Sequence, residues 1–189
     1  MCESSLDLRR ARGEAAAALE LAEHAGDDAL LALVLARWVS NDFLCGSGVD
    51  ETLTARALAL EEKLADDLPL DTAPSMVIGL ALAYIGDIDR AEQLLTRHLE
   101  RAERRGDEYA RLGLLLYLGC IAHRRGDLAT VERLCREQEE VSAQIGDPQS
   151  EAYGAFGLMY ACTELGREAE ARVHAEKALS HAVRARATT

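Results

Sequence analysis

Glycines stand at positions 46, 86, 126 and 166, and a Gly-Asp pair or its equivalent stands at 26–27, 66–67, 106–107 and 146–147. Each series repeats every 40 residues, the two are offset by 20, and Asp66 is the one replacement of a glycine. Punctuation this even restricts the chain to rods of nearly equal length. The prediction is a stack of helical hairpins: helix, tight turn, second helix, turn.

The hydrophobic spacing between the turns is helical. Leu94, Leu95, Leu99 and Ala102 mark one helix face, and Leu112, Leu115, Leu118, Gly119 and Ala122 mark another. Gly106, Gly126 and Gly146 can take the left-handed conformation that ends a helix. Asp107, Asp127 and Asp147 then accept from the free N–H groups of the next one. Pro148 follows Asp147 where a first-turn proline is tolerated. Nine helices are predicted, near 4–24, 28–44, 50–65, 73–85, 88–105, 108–125, 128–145, 148–165 and 168–185. The irregular stretch is Asp66 to Pro74, where Pro69 and Pro74 shorten the fourth helix, giving either a solenoid irregularity or a hinge.

Helices approach closely only where small residues lie at the crossing. Gly79 and Gly119 stand seven residues before a turn glycine, and Ala91 and Ala171 stand five after one. Those offsets resemble the tetratricopeptide pattern, with longer helices and with Val131 and Met159 as departures. The expected fold is therefore all-α: a right-handed α-solenoid of tetratricopeptide-like hairpins with a 40-residue period, one domain over residues 1–189.

The phrases "GD-x-x-x-A-x-x-L" and "A-x-x-x-GD", recurring over about residues 20–185, resemble the helical-repeat region of large ATP-binding regulators of the LuxR family. That resemblance implies a bacterial transcription regulator whose repeats receive an inducer or partner and relay the event to a DNA-binding end. ATP hydrolysis and DNA binding do not carry over. No G-x-x-x-x-G-K-[ST] loop is present, since neither lysine follows a glycine, and no basic recognition helix follows Leu179. The first helix looks like the second half of a hairpin, as in a piece of such a regulator or a small free-standing relative.

Composition narrows the function classes. A net charge of −12, from 33 acidic and 21 basic residues, repels phosphate backbones and anionic membranes. Cys2, Cys45, Cys120, Cys135 and Cys162 are odd in number and widely spaced, as free thiols of a reducing cytoplasm are. The N-terminus carries no basic-then-apolar signal, and no apolar run is long enough to span a bilayer. A cytoplasmic location is expected, with no direct nucleic-acid contact and no membrane.

Candidate binding residues follow from counting back from the turn glycines to the face that the first helix of each pair turns inward. They are Phe43 and Leu44; Met76, Leu80 and Tyr84; Leu116, Cys120, His123 and Arg124; Tyr153, Phe156, Tyr160 and Thr163. Tyr153, Phe156 and Tyr160, at i, i+3 and i+7, hold three of the seven Phe and Tyr residues on one face. Such rings suit a small apolar ligand, a sugar face or a partner helix; the alternative is that they pack the core between repeats or a terminal interface. The candidate ligand-binding set is Tyr84, Leu116, Cys120, His123, Arg124, Tyr153, Phe156 and Tyr160.

Other constellations point to less. Cys120 and His123 sit one turn apart, with Cys135 on the next helix, but third and fourth ligands at a recognised spacing are lacking, so no metal and no cofactor are expected. His174 and His181 are read as a solvated face of the last helix. No carboxylate pair or nucleophile–base set stands out, so no catalytic residue is assigned. Repeat proteins that clamp peptide termini resemble one another in using Lys and Asn on their inner helices. This chain has only Asn41, and neither Lys63 nor Lys177 lies on an inner helix. The expected function is a non-enzymatic module binding a small-molecule inducer or a protein in a concave groove. The alternative is a stand-alone adaptor or oligomerisation scaffold, with a homodimer formed through an end repeat.

Overall fold

The computed structural model describes residues 3–64 and 67–187. The described residues form nine α-helices and no strand: α1 (Glu3–Ala25), α2 (Asp28–Leu44), α3 (Glu51–Lys63), α4 (Pro74–Ile85), α5 (Ile88–Arg105), α6 (Glu108–Arg124), α7 (Leu128–Ile145), α8 (Pro148–Glu164) and α9 (Glu168–Ala187). The expected boundaries hold to within two residues, α3 stopping at Lys63. Cys2 and the glycine replacement at Asp66 lie outside the described residues.

Turn chemistry explains the agreement. Gly86 ends α4 at φ 94° and Gly146 ends α7 at φ 72°, in the left-handed region where a Cβ is penalised. Asp27, Asp50, Asp107, Asp127 and Asp147 then each accept backbone N–H groups in the first turn of the following helix. A turn this short returns the chain beside the helix it has just left.

The chain divides into two compact units, Met1–His98 and Leu99–Thr189, with the division inside α5. In the first, α2 packs against α1, α3 and α4, and α3 against α4. Leu31, Leu35, Val39, Ile78, Leu82 and Leu95 are buried there. Gly79 meets α5 closely: a Cβ built on it would lie 2.8 Å from Leu95 Cδ2.

In the second unit, α7 packs between α6 and α8 in sequence, α8 packs on α9, and α6 also touches α8. Ala122, Val131, Cys135, Leu158 and Ala161 form a buried cluster. The close approach expected at Gly119 is not found, since a Cβ there would have nothing within 4 Å. Gly154 and Gly157 of α8 take that role. A Cβ on Gly154 would sit 3.1 Å from the Cys135 carbonyl oxygen, and one on Gly157 would run into the Cys135 sulfur. Met159 occupies the offset where glycine was expected, and the crossing moves to the smaller residues one turn earlier.

A second correction concerns α9. His174 is buried at 9% exposure, and His181 is half-buried with Nδ1 2.7 Å from Glu151. One helical face carries both, together with buried Ala171, and that face turns toward α8 rather than to solvent.

One polar cluster lies inside the first unit. Ala73, at the N-cap of α4, offers no capping side chain. Glu61 of α3 supplies the acceptor instead. Ser75 donates its N–H to Glu61 Oε2 at 2.6 Å and its hydroxyl to Oε1 at 2.7 Å. His98 lies on the other side, with Nδ1 2.9 Å from Ser75 Oγ and Nε2 2.7 Å from the Leu70 carbonyl. Nε2 must donate there, because a carbonyl only accepts. Glu61 and His98 are exposed by 2% and 1%. The cluster ties α3, α4, α5 and the connection ahead of α4 together. Removing a partner from a buried charged cluster strands the rest. Glu61→Ala is therefore expected to cost about 3 kcal/mol in denaturant unfolding. Glu61→Gln, which keeps an acceptor for Ser75, is expected to cost only about 1 kcal/mol. Equal losses from both variants would show that the carboxylate is not capping α4.

Candidate functional site

None of the residues expected on the accessible face is buried. Tyr84 is 68% exposed, Phe156 57% and Tyr153 44%, so these rings are not core. Cys120, His123, Arg124 and Thr163 are exposed, and Leu116 and Tyr160 half-buried.

The structure sorts these residues into separate groups. In the first unit, Tyr84 stacks on Phe43 with ring centroids 6.1 Å apart and planes 23° apart. This pair joins the C-terminal ends of α2 and α4, where Leu44 and Ile85 are also exposed. In the second unit, His123 of α6 meets Tyr160 of α8 edge-on, at 4.3 Å and 71°. Desolvation, followed by the charge of and a hydrogen bond with Glu164, pushes the Tyr160 phenol up, so it keeps its proton at neutral pH.

Nearer the start of α6 and α8, Leu116 and Tyr153 line a half-open cavity of about 280 Å³. Tyr109, Leu112 and Gly113 of α6, Gln138 of α7, and Asp147, Gln149 and Ser150 at the head of α8 complete its wall. Tyr109 and Gln138 are not among the residues expected from the sequence. Tyr109 had a signal, since Tyr109, Gly113, Leu116, Cys120 and His123 continue one stripe at helical spacing. Gln138 had none: it is a polar residue buried to 1% exposure on a second helix of a pair.

The electrostatics of this face are settled largely within it. Arg111 of α6 is held by Glu137 at 2.7 Å and Glu108 at 3.2 Å, bonds that raise its pKa against the opposing effect of desolvation. Asp147 accepts from the Gln149 N–H at 3.0 Å and from the Ser150 hydroxyl at 2.7 Å. Glu151 binds His181 and Arg184 of α9.

Two arrangements bear on chemistry. Among the described residues no group of three or more His, Cys, Asp and Glu is placed to hold a metal ion. Glu61, Ser75 and His98 are the residue types of a hydrolytic triad, but the hydroxyl donates to the carboxylate and all three are buried. No described helix is long and apolar enough to cross a membrane. Compared with known proteins, the chain matches no family model and no curated sequence.

The thiols of this unit are not activated. Although Cys120 is exposed overall, desolvation of its sulfur raises the thiol more than Arg124 lowers it, and burial pushes Cys135 up to about 11. Since the thiolate is the nucleophile, iodoacetamide labelling of Cys120 should climb with pH and level off only above the ordinary thiol value of about 8.5. Cys135 should stay unlabelled at pH 8 until the chain unfolds. A Cys120 rate that levels off near neutrality would mark a reactive thiolate instead.

Proposed function

We propose that this chain is a non-enzymatic binding module, a right-handed tetratricopeptide-like α-solenoid with a 40-residue period that docks a ligand or partner on its first helices. The observation that carries this reading is the accessible ring stripe of α8. Tyr153 and Phe156 stay exposed and Tyr160 half-buried beside His123, in a chain only 4% aromatic. Exposed rings grouped on one face mark interaction sites more often than scattered apolar residues do. The repeat phrasing supports the further assignment to the sensor or interaction region of a LuxR-type bacterial transcription regulator, acting in the cytoplasm without direct contact to DNA. In this reading a ligand on the face favours one angle between neighbouring hairpins, and that bias passes to whatever the module adjoins.

The second reading is an adaptor or scaffold that associates through an end, as a homodimer. It draws on α9, whose exposed residues include large apolar ones. Ala175 and Ala178 are half-buried, and Val173, Leu179 and Val183 are 53%, 68% and 61% exposed.

Thermal-shift screening against small metabolites and amphipathic peptides, with light scattering on the same samples, separates the two. The binding reading expects a ligand that raises Tm with concentration. Tyr160→Ala or Phe156→Ala should then weaken that ligand about tenfold or more, roughly 1.4 kcal/mol. A chain that only self-associates favours the scaffold. Ligands found but indifferent to both ring variants would overturn the assignment of this face.

A further inference from the structure

The geometry points to a self-complementary seam on α9, through which two copies of this chain pair as antiparallel helices. The inference rests on the reading of α9 as an associating end, and it supplies the orientation, the register and the residues that meet. Glu168, Arg172, Ala175, Leu179, Ala182 and Arg186 follow one another at alternating steps of four and three residues. That is the spacing of a two-helix seam, in which each position meets the facing helix. All six belong to α9. Ala175 is half-buried and the other five are exposed, Leu179 at 68%.

The same stripe is covered on α7. Forty residues before Arg172, Ala175, Leu179 and Ala182 stand Glu132, Cys135, Glu139 and Ser142. There Cys135 and Ser142 are buried and the two glutamates half-buried. α8 lies on them, with Gly157 against the Cys135 sulfur and Gly154 against Cys135 and Glu139. On α9 the two alanines are smaller than the Cys135 and Ser142 they match, and apolar Leu179 stands where α7 has the charged Glu139. Small residues let helices approach closely, so this stripe is shaped to receive another helix. It lies beside the face that α8 already occupies, where Ala171, His174 and His181 are held.

Charge chooses the occupant. Positions 168 and 186 are symmetric about residue 177, as are 172 and 182, and 175 and 179. Two copies of α9 laid antiparallel about that point place Glu168 of each against Arg186 of the other. Leu179 of each then packs on Ala175 of the other, and Ala182 leaves room for the apolar stem of Arg172. A guanidinium carries five N–H donors, so Arg186 can take a carboxylate beside any bond it makes within its own chain. A parallel pair would set Glu168 against Glu168 and Arg186 against Arg186. The net charge of −12 opposes any meeting of two copies. However, α9 holds four Lys and Arg against three Glu, so this end escapes much of that repulsion. The two Glu176 carboxylates flank the axis and work against the pairing, which leaves Leu179 and the end pairs to hold it.

Sedimentation equilibrium on the full chain over a concentration series tests the seam. The parent is expected to dimerise. Glu168→Arg and Arg186→Glu, each alone, make both ends of the seam repel and should weaken the dimer about tenfold or more. Mixing those two variants should restore it, because the cationic ends of one answer the anionic ends of the other. Leu179→Glu should remove the dimer. A parent dimer that ignores all three substitutions overturns the seam and leaves association through another surface. Single variants that weaken the dimer, with a mixture that fails to recover it, overturn the pairing of position 168 with 186. A monomeric parent overturns the seam and the homodimer reading together, and leaves the stripe to a helix of another protein.

Discussion

The structure depends on one local event repeated along the chain: a glycine in the left-handed conformation closes a helix, and an aspartate opens the next. The glycine spares the backbone a steric cost of about 1–2 kcal/mol that any other L-residue would meet there. The aspartate satisfies N–H groups that a helix start leaves open. Where few residues separate the helices, α2 lies beside α1, and α7, α8 and α9 each lie beside the helix before. The packing of α2 on α4 and of α6 on α8 follows, because alternate helices then become neighbours as well. Ion pairs then link helices distant in sequence. Arg56 meets Glu23, Arg90 meets Glu51 and Arg167 meets Glu132. Exposed pairs of this kind contribute ~0–1 kcal/mol each, so they refine a fold that the turns and the core determine.

The same event explains how much of the fold was legible. Turn chemistry is local, so glycine and aspartate spacing, with helical periodicity and the prolines near 69–74, located nine helices. What escaped depends on distant residues meeting. Glu61, Ser75 and His98 lie on three different helices around the start of α4, and nothing in their spacing announces them. The connection lacks a capping residue at Ala73, and a buried carboxylate from the neighbouring helix substitutes for it. Gly154 and Gly157 of α8, not Gly119 of α6, are the close-approach positions, which depends on where α7 lies and not on the offset from a turn. His174 was misplaced because α9 carries apolar residues on more than one side, leaving its core face ambiguous from periodicity.

The candidate site shows the same division. The first helix of each pair is apolar almost all round, as in α6, EYARLGLLLYLGCIAHR, whereas α5 and α7 separate a polar side from an apolar one. An all-round apolar helix is covered on most sides, so what it leaves open stands out. On α6 and α8 that remainder is a line of rings, a histidine and a thiol at helical spacing, which sequence counting located. The cavity at one end of the line was not legible, since it needs Tyr109, Gln138 and the head of α8 together. Leaving Tyr153 and Phe156 of α8 in water forgoes the stabilisation their burial would bring, roughly 25 cal/mol per Å² of apolar surface. A partner that covers these rings recovers it.

The most direct test of the central claim compares two glycines of the second unit, one in a left-handed turn and one inside a helix. Gly146 sits at φ 72° in a turn, and Gly119 lies within α6; a Cβ on either meets nothing within 4 Å. Denaturant unfolding of Gly146→Ala should show a loss of about 1–2 kcal/mol, and Gly119→Ala a gain of up to about 1 kcal/mol. Equal effects, or a Gly146→Ala chain as stable as the parent, would contradict the view that left-handed corners fix these hairpins.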